Sequence, residues 1–453
     1  MTHNVSPRIA VIGGGLAGIT AALHCSDAGA AVTVYEARPR LGGLTFSFRR
    51  GELWVDNGQH VFMRCCTAYR SLLRRLGVED LTTLQPRLDI AVRSPTRAGR
   101  LRRSALPAPL HLAGALARYP WLSLGDRLRF VRAALALRGV DTADPATDLD
   151  GFGTWLRDRG QSARAIRTLW ELVGIATLNA RADDVSLALA ATVFQIGLLQ
   201  ESSNGDIGWS MVPLQQLHGD AAADALAKSG ARIHLQATVR SLSQTHGQWT
   251  VETDTGPAYF DAVILAVPPT SAEDLLPPGA LDAEPAWSRR LDRSPILNLH
   301  LVLDRTVLRE PFIAAVDSDV QWVFDRTDQS GLGSGQYLAV SLSAADELID
   351  VPTAELRRHF LPALTSILPG LESASLQDFF VTRERDATFM PSPGTARLRP
   401  APRTAASGLY LAGAWTATGW PATMEGAVRS GEAAAAALLA DTSALSTEAA
   451  SCR

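Results

Sequence analysis

The chain has 453 residues, 46% hydrophobic and 20% charged, with a formal net charge of −3. Those values allow two or three packed domains and exclude wholesale disorder, collagen and a small disulfide scaffold. A pI near 6.3 argues against a general nucleic-acid binder. The four cysteines (Cys25, Cys65, Cys66, Cys452) form no C-x-x-C pair, so neither a zinc site nor a disulfide framework is indicated, and a reducing cytoplasm fits. Residues 1–7 lack the pattern of a signal peptide. The longest uncharged stretches, Ser104–Ala117 and Val185–Gln200, fall short of the roughly 20 residues that span a bilayer. The expected protein is soluble or peripherally bound. Its single lysine is Lys228.

In chain order, Arg8–Ile12 reads as a buried strand, Leu16–Ala28 as a helix ending at Gly29, and Ala31–Tyr35 as a second strand, a β-α-β unit. Residues 65–77 read as helix. Residues 104–200, rich in Ala, Leu and Arg, read mostly as helices. Strands follow at Ala231–Leu235, Val239–Leu242, Trp249–Thr253 and Ala262–Val267. A second β-rich group follows at Leu297–Leu303, Gln321–Phe324 and Tyr337–Leu342. A helix over 353–368, a strand at Leu409–Ala412, a helix at Met424–Leu439 and a loose tail over 441–453 complete the chain.

Gly13, Gly15 and Gly18 form G-x-G-x-x-G, tightened by Gly14, between a strand and a helix. In that context the motif predicts a dinucleotide site. The first glycine permits the turn, the second lets a pyrophosphate approach, and the third lets helix and strand pack closely. The helix N-terminus, through Leu16 and Ala17, offers N–H groups and partial positive charge to the phosphates. Glu36 ends the second strand, where its carboxylate can bind both ribose hydroxyls and would repel a 2′-phosphate. This favours FAD or NAD over NADP. Gly331-Leu-Gly-Ser-Gly335 has no strand before it or helix after it, so it reads as a loop and gives no second nucleotide site for an electron donor.

The run Glu36-Ala37-Arg38-Pro-Arg-Leu-Gly42-Gly43-Leu44 resembles the second glycine fingerprint of the amine oxidase and phytoene desaturase flavoprotein superfamily, which implies FAD rather than NAD. That superfamily usually carries an Arg where Leu44 stands; Arg40 and Arg49 are the candidates to supply the charge. Gly408–Gly413, leading to Met424-Glu-Gly-Ala-Val-Arg-Ser-Gly431, resembles the superfamily's C-terminal flavin segment. The resemblance places Gly413, Ala414, Thr423, Met424, Glu425, Gly426 and Ala427 against the flavin, with a helix N-terminus at its N1–C2=O edge. It also places Val239 and Ala266 near the adenine. Ala414 and Trp415 replace the acidic residue that usually binds the ribitol. No cysteine lies in this segment, so the FAD is expected to be non-covalent.

Further runs resemble the hydroxysqualene dehydroxylases of hopanoid synthesis: Val55-Asp-Asn-Gly-Gln-His60, Thr177-Leu-Asn-Ala180, Ser294–His300, Gln321–Arg326, Arg383–Phe389 and Pro421–Ala427. This resemblance implies reductive removal of the allylic hydroxyl of hydroxysqualene to give squalene. The chemistry needs a proton donor for the hydroxyl, a cation shielded from water, and a hydride from reduced flavin. His60, Asp56 and Glu384 are the candidate acids; each also has a plain structural reading, as a core imidazole, a turn residue and a charged strand face. Trp170, Trp209, Trp322, Trp415 and Trp420 can line an isoprenoid tunnel or simply fill the core.

The expected architecture is α/β. A Rossmann-like FAD-binding domain with a parallel sheet takes 1–64, 205–270 and 405–440. A discontinuous α+β substrate domain takes 65–204 and 271–404. The polyisoprenoid substrate is water-insoluble, so a cytoplasmic protein peripheral on the inner membrane face is expected. Pro107–Val140, with Leu110, Leu112, Leu116, Tyr119, Trp121, Leu122 and interspersed arginines, reads as an interfacial patch or as an ordinary amphipathic layer. Rival readings are a carotenoid-type desaturase, an amine oxidase and a non-catalytic flavin-binding protein. The amine oxidase reading is weakened by Thr423, where an aromatic is usual, and by Lys228, which sits in a surface-like helix.

Overall fold

A computed structural model describes residues 6–451, with side chains through Thr442. Five short strands, the inner ones largely buried and apolar, form a wholly parallel sheet in the order Arg232–Leu235, Ala31–Glu36, Arg8–Ile12, Ala262–Leu265 and Leu409–Leu411. Strands buried on both sides need cover from both sides. The helix Leu16–Asp27 lies on one face beside the final helix Met424–Ser451. Gly431 permits this close crossing: a Cβ there would stand 2.3 Å from the carbonyl oxygen of Ala17. Both helices start at the carboxyl ends of the strands, the edge where open α/β sheets bind ligands.

A second sheet of seven strands runs Leu376–Thr388, Ser294–Leu303, Gln336–Ser343, Trp322–Asp325, Phe312–Ala315, Asp89–Arg93 and Ala98–Arg102. Alternation along Ser294–Leu303 decides its two faces. Leu297, Leu299, Leu301 and Leu303 point into a core closed by Leu356, Phe360 and Leu364 of the helix Thr353–Ile367. Asn298 and His300 stand on the other face, where Asn298 Nδ2 donates to Asn57 O. His300 is a satisfied core histidine: Tyr337 Oη lies 2.8 Å from Nδ1 and Thr382 Oγ1 3.0 Å from Nε2. Burial pushes its pKa down to about 3.

Between the sheets lie the helices of residues 110–200. Asn179 ends one of them in the left-handed region (φ 53°) and binds the second sheet. Its Nδ2 donates to Ser294 O and Thr388 Oγ1, and its Oδ1 accepts from Ala344 N. Asn is one of the few residues that tolerate this backbone state.

Two sequence expectations change. The segment 441–453, read as a tail, continues the last helix through Ser451, and Asp441 is held by Arg403 and Tyr410; the Ala-rich composition favours helix to that point. Tyr119, Trp121 and Leu122 are buried core, with Tyr119 Oη donating to Thr168 O, so they belong to no surface patch.

Asp206 ties three segments together. It is fully buried and accepts from Leu88 N, from Arg64, and from Arg103 through Nε and Nη2. Burial alone would raise its pKa, but the two arginines and the backbone N–H outweigh that and hold it below the ordinary aspartate range. A depressed folded-state pKa stabilises above the unfolded value and is lost as pH falls through the folded one. Asp206→Asn is expected to cost about 3 kcal/mol at pH 7, read by urea unfolding, with the difference from wild type shrinking as pH falls below 4.

Candidate active site

The glycine loops build the first half of the site. Gly13 sits at φ +106°, where a Cβ would lie 2.3 Å from Ala266 O, and a Cβ on Gly18 would lie 1.9 Å from Gly13 O. Those contacts bring strand and helix together so that the helix from Leu16 and Ala17 opens on the loop. Gly14 N donates to Glu36 Oε2 and Arg38 N to Glu36 Oε1, each at 2.7 Å. The carboxylate is thereby fixed at the strand end, with Ala37 and Arg38 exposed beyond it. The loop of Gly42 and Gly43 folds onto the first: a Cβ on Gly43 would fall 2.8 Å from Gly15 Cα. Arg40 donates to Gly43 O and stacks over Phe46, so it is the cation at this loop. Arg49 turns away to Glu52 O and Trp54. Leu44 is half exposed beside the pair. Val239 is core, and Ala266 underlies both Gly13 and Gly18.

The C-terminal segment closes the other side. Gly413 N donates to Ser430 Oγ, and Arg399 Nη2 donates to Ala414 O, Thr416 O and Thr418 Oγ1. Trp415, which replaces a ribitol-binding residue, is buried and donates its indole N–H to Val267 O. Thr423 caps the last helix by accepting from Gly426 N, and Ala427 N bonds back to Thr423 O. The Glu425 side chain does not face this cleft. It is buried and accepts from Ala68 N and Tyr69 N, the first turn of the helix Thr67–Leu76, and from Arg429. A carboxylate shared by two helix N-termini is favourably placed against both dipoles. A glycine cradle with backbone N–H groups at two helix starts, a pinned ribose-type carboxylate and Arg40 at the glycine pair fits an FAD.

A chamber extends from Thr423 and Met424 into the helical layer, with about 1760 Å³ of empty space counting its mouth. Phe194, Leu198, Leu169, Phe312 and Ile296 are typical of its apolar wall, and Gln59, Cys65, Cys66, Thr177 and Ser341 are among its few polar members. Leu169, Ile196, Gly197 and Leu198 come from widened helical turns at Ile166–Trp170 and Gln195–Gln200, a feature that recurs at functional sites. Of the five tryptophans, Trp322 and Trp420 line the chamber. Trp170 is core and bonds Gln161, Trp415 is core, and Trp209 packs edge-on against Phe312.

The three candidate acids divide. Asp56 is an anchor: Oδ1 accepts from Ser47 Oγ and Leu214 N, and Oδ2 from Arg326 at 2.7 Å in a buried ion pair. These donors fix the side chain between three segments distant in sequence. His60 is half-buried, with Nδ1 3.0 Å from Gly58 O. Burial lowers its pKa, against the opposing pull of the Gly58 and Leu44 carbonyls and Asp56. A neutral imidazole holds no spare proton at pH 7. Glu384 differs. Its Oε1 accepts from Asn57 Nδ2 at 3.0 Å, and burial raises its pKa, opposed by Asn57 and the Arg40 charge. It pairs across the strands with Ile296 of the chamber wall.

Sequence reasoning missed Asn57, which joins Glu384 to Leu44 O, and Gln59, Arg326 and Arg399. Asn57, Gln59 and Arg326 lie in the runs already singled out, where Asp-Asn-Gly reads as a turn. Arg399 carries no local signal.

The pattern described as flavin containing amine oxidoreductase matches residues 16–439, and the chain belongs to that family. It is an FAD-dependent oxidoreductase. It is 31% identical to a hydroxysqualene dehydroxylase of Sinorhizobium fredii over 96% of this chain and 99% of that one. It is 30% identical to another from Rhodopseudomonas palustris, over 96% and 99%. A probable zeta-carotene desaturase of Synechococcus elongatus is 25% identical over 95% and 98%. Putrescine oxidase bound to putrescine superposes with a TM-score of 0.72 at 21% identity, covering 96% of this chain and 99% of that chain.

Gly43→Val puts a branched side chain at φ +57° against Gly15. It is expected to yield protein lacking flavin, with the 450 nm absorbance lost while the far-ultraviolet circular dichroism is kept.

Proposed function

We propose that this protein removes the allylic hydroxyl of hydroxysqualene reductively, giving squalene. The observation that carries the reading is the large apolar chamber that begins at the flavin segment, with the half-buried Glu384, whose pKa is raised, paired across the strands with Ile296 of its wall. A polyisoprene needs such a wall, and departure of a hydroxyl needs a proton.

FAD, when bound and reduced, supplies the hydride. The chain's own residues do the rest. Glu384 keeps its proton to a higher pH than an ordinary glutamate and offers it to the leaving hydroxyl, while Asn57 fixes its direction. The apolar wall excludes water from the developing cation, and Trp322 and Trp420 present π faces to it. Gln59 is an amide on the wall and suits the hydroxyl group. Lys228 is exposed at the end of the helix Ala221–Lys228, away from the chamber, which weighs against an amine oxidase mechanism. The similarity to zeta-carotene desaturases supports a second reading, desaturation of a polyene in the same chamber.

The deciding experiment is anaerobic single turnover. The photoreduced holoenzyme is mixed with hydroxysqualene in detergent, and flavin reoxidation is followed with product analysis. Reoxidation matched by squalene is the expected result. Absence of reoxidation, with the oxidised enzyme instead bleaching on a polyene precursor, would sink the proposal in favour of the desaturase. With the acid form of Glu384 required, the wild-type rate falls as pH rises through its raised pKa. Glu384→Gln is expected to lower that rate about 100-fold or more and to flatten this limb, while leaving flavin content unchanged.

A further inference from the structure

Fourteen large apolar side chains are exposed among the described residues, and six of them fall between positions 106 and 135: Leu106, Leu110, Leu124, Leu128, Val131 and Leu135. The last four lie on one helix, Leu124–Leu137, at spacings of four, three and four residues, which put them in one stripe. They are not marginally exposed: Leu124 is 75% and Leu128 68% accessible. The opposite side of this helix is buried through Ala133, Ala134 and Leu137. A patch of this kind on a folded surface calls for an apolar partner.

The flanking charge selects the partner. Positions 98–140 hold eight arginines and one acidic residue, Asp126. Asp126 caps the helix and pairs with Arg129. Arg118, Arg132 and Arg138 are exposed with no ion-pair partner among the described residues. A second copy meeting this face across a two-fold axis would set like charge against like charge. An anionic bilayer instead offers apolar depth to the leucines and phosphates to the arginines. No helix among the described residues is long and apolar enough to cross a membrane, so contact through this face would be interfacial.

The same segment faces the chamber on its inner side, where Leu112, Leu116 and Phe130 are part of the wall. We propose that the leucine face of Leu124–Leu137, with Leu106 and Leu110, is the surface by which this protein sits on an anionic lipid bilayer, and that polyisoprenoid substrate enters between 110–117 and 124–137 without crossing water. The entry route rests on the function proposed above; the docking face does not.

The test is flotation of the holoenzyme with vesicles of phosphatidylglycerol and phosphatidylethanolamine, compared with phosphatidylcholine alone. Wild type is expected to float with the anionic vesicles, less so at high salt. The variant L124S/L128S/L135S is expected to partition about tenfold more weakly or worse, with flavin content and thermal midpoint unchanged. The variant R132E/R138E keeps the leucines and should lose the preference for anionic vesicles. Wild type that stays unbound, or a serine variant that floats as well as wild type, overturns the docking face. A serine variant that instead converts a dimer to a monomer in sedimentation, with flotation unaltered, overturns it in favour of self-association. Turnover of detergent-dispersed hydroxysqualene separates the two proposals. Its absence in both proteins sinks the substrate reading and leaves the docking result standing.

Discussion

The junction between the two sheets depends on one buried carboxamide. Asn57 uses every polar atom it has. Its Nδ2 donates to Leu44 O and Glu384, its Oδ1 accepts from Phe46 N, its backbone N–H donates to Phe46 O, and its carbonyl accepts from Asn298 and Thr382. One residue, through side chain and backbone together, therefore fixes the glycine-pair loop against two strands of the second sheet. A neutral amide suits this place. It donates and accepts at once, and it leaves the carboxyl of Glu384 bound but not neutralised.

The buried carboxylates show how much that last point matters. Glu36 has two backbone N–H donors, Glu425 two and an arginine, Asp56 a backbone donor, a serine and Arg326, and Asp206 a backbone donor and two arginines. Each is a charge that has been compensated by donors, and each fastens segments distant in sequence. Glu384 has one neutral donor within hydrogen-bonding distance and the charge of Arg40 further off. With fewer donors to hold it than these four, the half-buried Glu384 has a raised pKa.

The chamber follows from a similar economy. Its walls come from the seven-stranded sheet and from helices whose widened turns at Ile166–Trp170 and Gln195–Gln200 spread side chains around a space instead of filling it. The apolar content that would make a compact core elsewhere surrounds a void here. The helical layer that bounds this void carries apolar residues on its outer face as well, so substrate chemistry and surface chemistry meet in the same segment.

Local sequence determined the dinucleotide half of this protein. The glycine spacing, the strand before it, the helix after it and Glu36 act within some thirty residues, and short-range sterics and backbone hydrogen bonding leave little choice there. The apolar runs Leu297–Leu303 and Tyr337–Leu342 marked two strands of the second sheet in the same way. Only the tertiary structure set the surroundings of each carboxyl. Asp56 and Glu384 look alike in sequence, and their difference lies in Arg326 and Asn57, residues 270 and 327 positions away. It likewise decided that Trp121 is core while Leu124, three residues on, faces outward, because exposure depends on what packs across from a side chain and not on its hydrophobicity. Charge compensation and burial are sums over distant neighbours, and no local pattern encodes them.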